Sequence, residues 1–377
     1  MPEFYEFFAG AGMARLGLGE DWTCTFANDI DEKKAASYRR RFGDGQLRVA
    51  DVSRLREDDL PGQAALAWAS FPCQDLSLAG NGEGLTGKRS GAFWPFWNLM
   101  RGLHDAGRAP GMIVLENVCG AISSNNGEDF AAIAKAIVRI GYRFGAMVMD
   151  AVHFLPQSRP RLFIVAVASG VRLPEGITRA DPNAFWHPRN LVGAKFRLTE
   201  RLQDHWIWWS LPAPAERRTV FADLIEDKPA GVIWRTPDET QALLRSMSLL
   251  NREKVLAAQK EGVLRIGALY KRMRNGVCRA EARFDDVAGC LRAPRGGSSR
   301  QTIILVHGQT VRTRLLSPRE AARLMGLPED YRLPKRYNEA YHLIGDGLAV
   351  PVVSYLERNL LTPLAQAIVE HPQAKTA

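Results

Sequence analysis

Over residues 1–168, short apolar runs alternate with stretches of helical periodicity. The runs FYEFF (4–8), CTFAN (24–28), LAWAS (66–70), MIVLE (112–116), AMVMD (146–150) and RLFIVAVA (161–168) read as buried strands. Between them DEKKAASYRRRF (31–42), SGAFWPFWNLMRGL (90–103) and EDFAAIAKAIVRI (128–140) each show one apolar face, as a surface helix does. Alternation of this kind predicts an α/β fold: a mostly parallel sheet with helices on both faces, and ligands beyond the carboxyl ends of the strands. From about 170 to 304 the periodicity fades, which points to a separate, irregular module. A helical pattern returns in SPREAARLMGL (317–327), and IGDGLAVPVVSYLERNLL (344–361) closes the pattern.

Composition narrows this picture. The 377 residues are 46% hydrophobic and 24% charged, ordinary for a globular protein and enough for one large domain plus a smaller one. No apolar run approaches the roughly 18 residues of a membrane span. The acidic start MPEFYEFFAG is not a secretory signal. Five cysteines without a CxxC pair argue against a disulfide framework and a zinc site, and point to reduced thiols in a cytoplasmic protein. Of the +9 net charge, most lies between residues 171 and 300, where 23 Lys and Arg face 15 Asp and Glu. A polyanion is the natural partner of such a segment, the competing account being a solvated basic surface.

Candidate chemistry collects where the strands end. Phe8-Ala9-Gly10-Ala11-Gly12 follows the first run; glycines there let backbone approach a ligand, although Arg15 stands where the dinucleotide fingerprint wants its third glycine. Asp29 and Asp51 follow later runs, each a ribose or adenine partner or else a helix cap. Cys73 comes directly after Pro72, which ends its strand and stiffens the turn. A cysteine so placed is a buried hydrophobe or a nucleophile. Its company favours the second: Glu116-Asn117-Val118 ends the next run, and Gln157-Ser158-Arg159-Pro160-Arg161 opens the last. Guanidinium groups lower a thiol pKa, and a buried Glu116 would hold a proton near neutrality, the alternative being a structural ion pair with one of those arginines.

These residues also carry a likeness. FFAGAG, FPCQ, GKRSGAF (87–93), ENV, QSRPR, LSPREAARLMGLP (316–328) and GDGLAVPVV (345–353) stand in the order found in the prokaryotic cytosine-5 DNA methyltransferases, which the chain resembles. The resemblance implies a Rossmann-like catalytic and S-adenosylmethionine-binding domain over 1–168 and 305–377, and a target-recognition DNA-binding domain over 169–304. It implies that Cys73 attacks carbon 6 of a flipped-out cytosine, that Glu116 protonates the ring at nitrogen 3, and that Arg161 and Arg159 contact the base oxygen and a phosphate. Asn117 would fix that loop beside the DNA. It places Phe8, Ala9, Gly10, Gly12, Asp29, Ile30, Asp51, Val52, Pro72, Asp346 and Gly347 around the cofactor, and Gln74, Ser77, Arg89 and Ser90 on the DNA, with the glycine-rich stretch 80–91 as a lid.

For base readout the candidates are Arg295, Ser298, Ser299, Arg300 and the basic run 270–279. The chain departs from the family at Met13, usually glycine, and at Asp346, usually asparagine. The expected partners are S-adenosylmethionine, double-stranded DNA and a cognate restriction endonuclease, with no metal, no membrane and a monomeric protein. Two rivals remain open: a relative acting on RNA, and a DNA-binding protein with a silent site. The tryptophans at 206–209 are expected in the core of the smaller domain rather than as a stacking platform.

Overall fold

The computed structural model describes residues 1–72, 92–274, 276–292 and 300–370. By compactness the described residues divide into two units, one drawn from Met1–Met149, Pro160–Pro214 and the segment from Val352 on, the other from Asp150–Arg159 and Ala215–Pro351.

The first unit is built on seven strands: β1 (Glu3–Phe7), β2 (Thr23–Asp29), β3 (Leu47–Val49), β4 (Leu66–Ala69), β5 (Met112–Val118), β6 (Tyr142–Asp150) and β7 (Pro160–Ala168). Their order is β3-β2-β1-β4-β5-β7-β6. The pairs β1–β2, β2–β3, β1–β4 and β4–β5 are parallel, and β7 runs antiparallel to β5. Chain order reverses direction between β1 and β4, the switch point at which a doubly wound sheet opens a crevice.

Alternate residues of β1 show why the runs are apolar throughout. Phe7 packs on Phe96 of the helix Phe93–Asp105, ring centroids 4.9 Å apart. Glu6, on the opposite face, receives the amide of Arg15 from α1 (Met13–Leu18). Both faces are covered, so hydrophobic residues are needed at every position rather than every second one.

The tryptophan segment belongs to this unit. Phe144 of β6 exchanges backbone hydrogen bonds with His205 and Ile207, and Trp206 meets its ring at 5.2 Å. Trp208 and Trp209 are buried, forming the short strand β9 (Trp208–Trp209) that pairs with β8 (Thr178–Arg179). They are core, as expected, but core of the large sheet, because the chain after β7 returns to β6.

The second unit holds an antiparallel sheet of β10 (Arg265–Arg274), β11 (Val277–Arg283), β12 (Thr302–His307) and β13 (Thr310–Leu315), in the order β11-β10-β12-β13. The helices Pro237–Arg245 and Leu249–Lys260 supply Leu243 and Val255 to its core, and Met247 joins them from the turn between the two. This order was not expected from the faded periodicity. The physical division also cuts the chain elsewhere than the sequence boundaries: 169–214 falls in the first unit, and 305–351 in the second, since β12 and β13 complete the antiparallel sheet.

At its far side Arg314 and Glu320 form a fully buried pair joined by two hydrogen bonds, 2.6 and 2.8 Å. The glutamate also accepts the amides of Ser317 and Glu226, and Ser317 and Glu320 close a capping box on the helix Pro318–Arg323. The sequence Ser-Pro-Arg-Glu is thus a helix start whose acid doubles as an arginine anchor.

Candidate active site

The site is assembled from the ends of β1, β2, β4 and β5. After β1 the backbone turns through left-handed conformations at Phe8 (φ 57°), Gly10 (φ 55°) and Gly12 (φ 73°). For a bulky residue such as Phe8 this geometry is strained. The two glycines serve different needs. A Cβ on Gly12 would lie 2.4 Å from Phe42 and 3.0 Å from Tyr38, so the helix Glu32–Phe42 (α2) can approach only a glycine. A Cβ on Gly10 would meet nothing, leaving open space above that peptide. Met13, the departure from the family pattern, opens α1 with a buried side chain.

The two acids after β2 have separate tasks. Asp31 caps α2, accepting the amides of Lys33 and Lys34. Asp29 is buried; one oxygen accepts the Gly10 amide at 2.7 Å and the other that of Asp31 at 2.8 Å. Burial raises its pKa above the ordinary carboxylate value against the pull of Lys34 and those amides. Asp29 therefore locks the glycine turn, and its oxygens keep further lone pairs for a hydroxyl. Ile30, next to it, is 65% exposed, an unusual position for an isoleucine and a ready face for an aromatic ring. Asp51 accepts the amide and hydroxyl of Ser53, which lower its pKa, and caps the turn Val52–Arg54, in which Val52 is buried.

β4 leads through Phe71 to Pro72. Phe71 is buried against Phe93, 5.4 Å between centroids. Asn117, at the end of β5 and 5% exposed, donates its side-chain amide to the Phe71 carbonyl at 3.3 Å, while its oxygen accepts the Val118 amide at 2.8 Å. The backbone at Phe71 is thereby tied to the strand that carries Glu116. Glu116 meets Arg161 of β7, Oε1 to Nε 3.3 Å, with both side chains largely buried. The antiparallel register of β5 on β7 makes this contact, setting Val118 opposite Arg161 and Glu116 opposite Phe163.

Arg159 lies in the second unit and is 2% exposed. It donates to the carbonyls of Leu291, Gly345 and Gly347, and its amide donates to Asp150. It is a clamp on the segment that contains Asp346 and Gly347. Asp346 follows the helix Tyr337–Gly345, its amide bonded to His342. Arg300 donates to Asn338 at 2.6 Å and lies over the Tyr337 ring. Cys73, Gln74, Ser77, Arg89, Ser90, the stretch 80–91 and Arg295, Ser298 and Ser299 lie outside the described residues.

One group went unread in the sequence. Glu6, 1% exposed inside β1, sits under the glycine turn with Arg15, Tyr38 and Cys24. Burial pushes its carboxyl up to about 8 and the Cys24 thiol to about 11. The available signal was an acid in the middle of an apolar run on a strand buried on both faces. Among the described residues no group of three or more His, Cys, Asp or Glu could hold a metal, and no helix is long and apolar enough to cross a membrane.

A left-handed glycine turn after β1, an acid that locks it and an exposed apolar residue beside that acid lie at the carboxyl ends of neighbouring parallel strands, where a doubly wound fold receives its ligand. Comparison with known proteins carries this further. The family described as C-5 cytosine-specific DNA methylase matches residues 3–362, so the chain belongs to that family. Type II methyltransferase M.BsuFI of Bacillus subtilis is 26% identical over 352 residues, 93% of this chain and 70% of the relative. Type II methyltransferase M.HhaI of Haemophilus parahaemolyticus is 25% identical over 364 residues, 95% of this chain and 93% of the relative. Among solved structures, the Entamoeba histolytica methyltransferase EhMeth has a TM-score of 0.62 at 13% identity, covering 98% of this chain and 99% of its own. The S. pombe Dnmt2 methyltransferase has 0.56 at 18%, covering 99% and 100%. The chain is a DNA cytosine-5 methyltransferase, and S-adenosylmethionine is its methyl donor.

Proposed function

We propose that the protein is a modification methyltransferase of the Type II kind, paired with an endonuclease of the same specificity, in which Cys73 is the nucleophile and Glu116 the acid. The observation that carries this reading is the Asn117 side chain. It holds the Phe71 carbonyl, two residues ahead of Cys73, from the strand that also presents Glu116 and, through it, Arg161.

The Cys73 thiolate forms a bond to carbon 6 of a cytosine, and the displaced ring electrons make carbon 5 nucleophilic. Glu116 donates its proton toward nitrogen 3 as that charge develops. Arg161 orients Glu116 and receives the base oxygen. When bound, S-adenosylmethionine would supply an electrophilic methyl group to carbon 5, the methyl–sulfur bond breaking to leave S-adenosylhomocysteine. Loss of the carbon 5 proton returns an electron pair to the ring, the carbon–sulfur bond breaks, and Cys73 leaves as thiolate. None of this fits inside a base pair, so the cytosine is turned out of the duplex. Phe8, Gly10, Asp29, Ile30, Asp51 and Val52 hold the cofactor, with Asp29 on the ribose hydroxyls and Ile30 against the adenine. Arg159 acts through the carbonyls it grips, as a positioning residue for Asp346 and Gly347.

The test uses random-sequence duplex DNA containing 5-fluorocytosine, with S-adenosylmethionine present. Fluorine does not leave as a proton does, so a denaturation-resistant protein–DNA complex is expected. It should vanish in Cys73→Ala while duplex binding persists. An adduct formed by Cys73→Ala, or none formed by an unaltered protein that methylates ordinary duplex, would refute the covalent role.

A further inference from the structure

The helix Leu249–Lys260 covers the antiparallel sheet with one face and leaves the other bare. Asn251, Val255 and Ala258 are buried, the last two in the core of the second unit. Leu249, Glu253, Leu256 and Lys260 follow one another at spacings of four, three and four residues. At about 3.6 residues per turn they form one stripe, opposite the buried side chains, and all four are exposed. Leu250 stands beside Leu249, and Val263 and Leu264 follow the helix end, after the left-handed Gly262. Each of these five hydrophobic residues is more than half exposed. A monomeric surface rarely gathers so much apolar area in one short segment.

The charges of the stripe say what covers it. Arg252 donates to the Arg245 carbonyl, Lys254 to that of Ala282, and Glu261 is paired with Arg265 at 3.1 Å. Glu253 and Lys260, on the stripe itself, have no ion-pair partner among the described residues. Midway between them lie Leu256 and Ala257. A two-fold contact is isologous, so one surface must carry both halves of every pair. With the helices antiparallel and the axis between Leu256 and Ala257, Glu253 and Lys260 stand about 5 Å, one helical turn, on either side of it. Each Glu253 then faces the partner's Lys260, and each Leu256 meets the partner's Ala257. Ala257 is exposed and small, which allows a close approach of about 8 Å between helix axes. Parallel helices would set Glu253 against its own copy. Duplex DNA does not suit the stripe either, because its two charges cancel.

We propose that this stripe is an interface between two copies of the chain, paired antiparallel about a two-fold axis between Leu256 and Ala257. The protein is then not the monomer expected from its sequence. One helix of 12 residues offers much less than the about 800 Å² per partner of a standard interface. The association is accordingly weak, with a Kd on the order of 10–100 µM.

Sedimentation velocity of the full-length protein without DNA tests this. The average mass should rise from one chain toward two between about 1 and about 200 µM. Leu256→Glu, at the axis and so present twice in each dimer, should weaken association at least about 100-fold and abolish the rise. Its thermal melting should match that of the unaltered protein, since the side chain is exposed. Glu253→Lys and Lys260→Glu each oppose like charges in both pairs, and each alone should weaken association about tenfold. Mixed in equal amounts, these two variants should associate with each other at about the unaltered affinity, because every pair is again of opposite sign. A single-chain mass at all concentrations, a dimer that survives Leu256→Glu, or a mixture that restores nothing would each overturn the proposal.

Discussion

The two sheets are sealed to different extents. In the seven-stranded sheet the strands are covered on both faces, and the residues proposed for the chemistry sit where they stop: Gly10 after β1, Asp29 at the end of β2, Phe71-Pro72 after β4, and Glu116 and Asn117 at the end of β5. In the four-stranded sheet the strands β10 and β11 outrun the helices that cover them and carry exposed residues there. Catalysis needs groups held to within a fraction of an ångström, and buried strands supply that rigidity. Mutations should therefore behave differently in the two places, chemical at the first sheet's edge and confined to stability in the buried part of the second.

Glu116→Gln is the sharpest probe of this contrast. It preserves the shape of the β5 end and removes the proton. Methyl transfer should slow by about 10²–10⁴, the usual range for a lost general acid, with duplex affinity held. A change under threefold would remove Glu116 from the chemistry and dissolve the distinction between the sheets.

The same contrast explains what the amino-acid pattern disclosed. Strands buried on both faces appear as unbroken apolar runs, and their ends are punctuated by glycine, proline and acid, so the first sheet and most of its edge were readable. In β10 the run Leu269-Tyr270-Lys271-Arg272-Met273 loses its alternation where it leaves the core, and the strand disappears into a basic stretch. The guanidinium of Arg159 satisfies three carbonyls far along the chain, a task with no local signature. For Asp29 the sequence left a helix cap open as the alternative, and the amide donors show that the cap is Asp31.

Arg314 supplies a control within the second unit. It lies in the same antiparallel sheet as β10 and β11, but on β13, where its guanidinium fork on Glu320 is wholly enclosed and lies near Trp234. Arg314→Met leaves Glu320 charged and unpaired, and should destabilise this unit by about 3–5 kcal/mol in urea unfolding. Adding Glu320→Gln should return part of that loss, because the stranded charge is then gone. At a temperature where the single variant is folded, methyl transfer per bound duplex should be unchanged. A loss of turnover without a loss of stability would place Arg314 in the reaction and break the comparison from the other side.

The smallest expected effect concerns Glu6, an ionisable group inside the sealed sheet rather than at its edge. Its neighbours are Arg15, Tyr38, Cys24 and Asp29. Burial is the largest influence on it and holds its carboxyl near 8, while the Arg15 amide and guanidinium pull the other way. A carboxyl whose folded pKa lies above its unfolded value of about 4.3 is neutral in both states at low pH. As pH rises the unfolded chain ionises first, and the folded chain must follow at a cost. The stability that Glu6 allows is thus fully present below about pH 4 and is lost progressively up to about pH 8, after which the curve is flat. Relative to Glu6→Gln, the unaltered protein should lose about 1–3 kcal/mol between pH 5 and pH 7, measured by urea unfolding at each pH. Because Glu6 supports the turn that Asp29 locks, S-adenosylmethionine affinity should weaken over the same interval and do so less in the variant. Parallel pH profiles for the two proteins would mean that Arg15 keeps Glu6 ionised throughout, making the pair a fixed strut beneath the glycine turn.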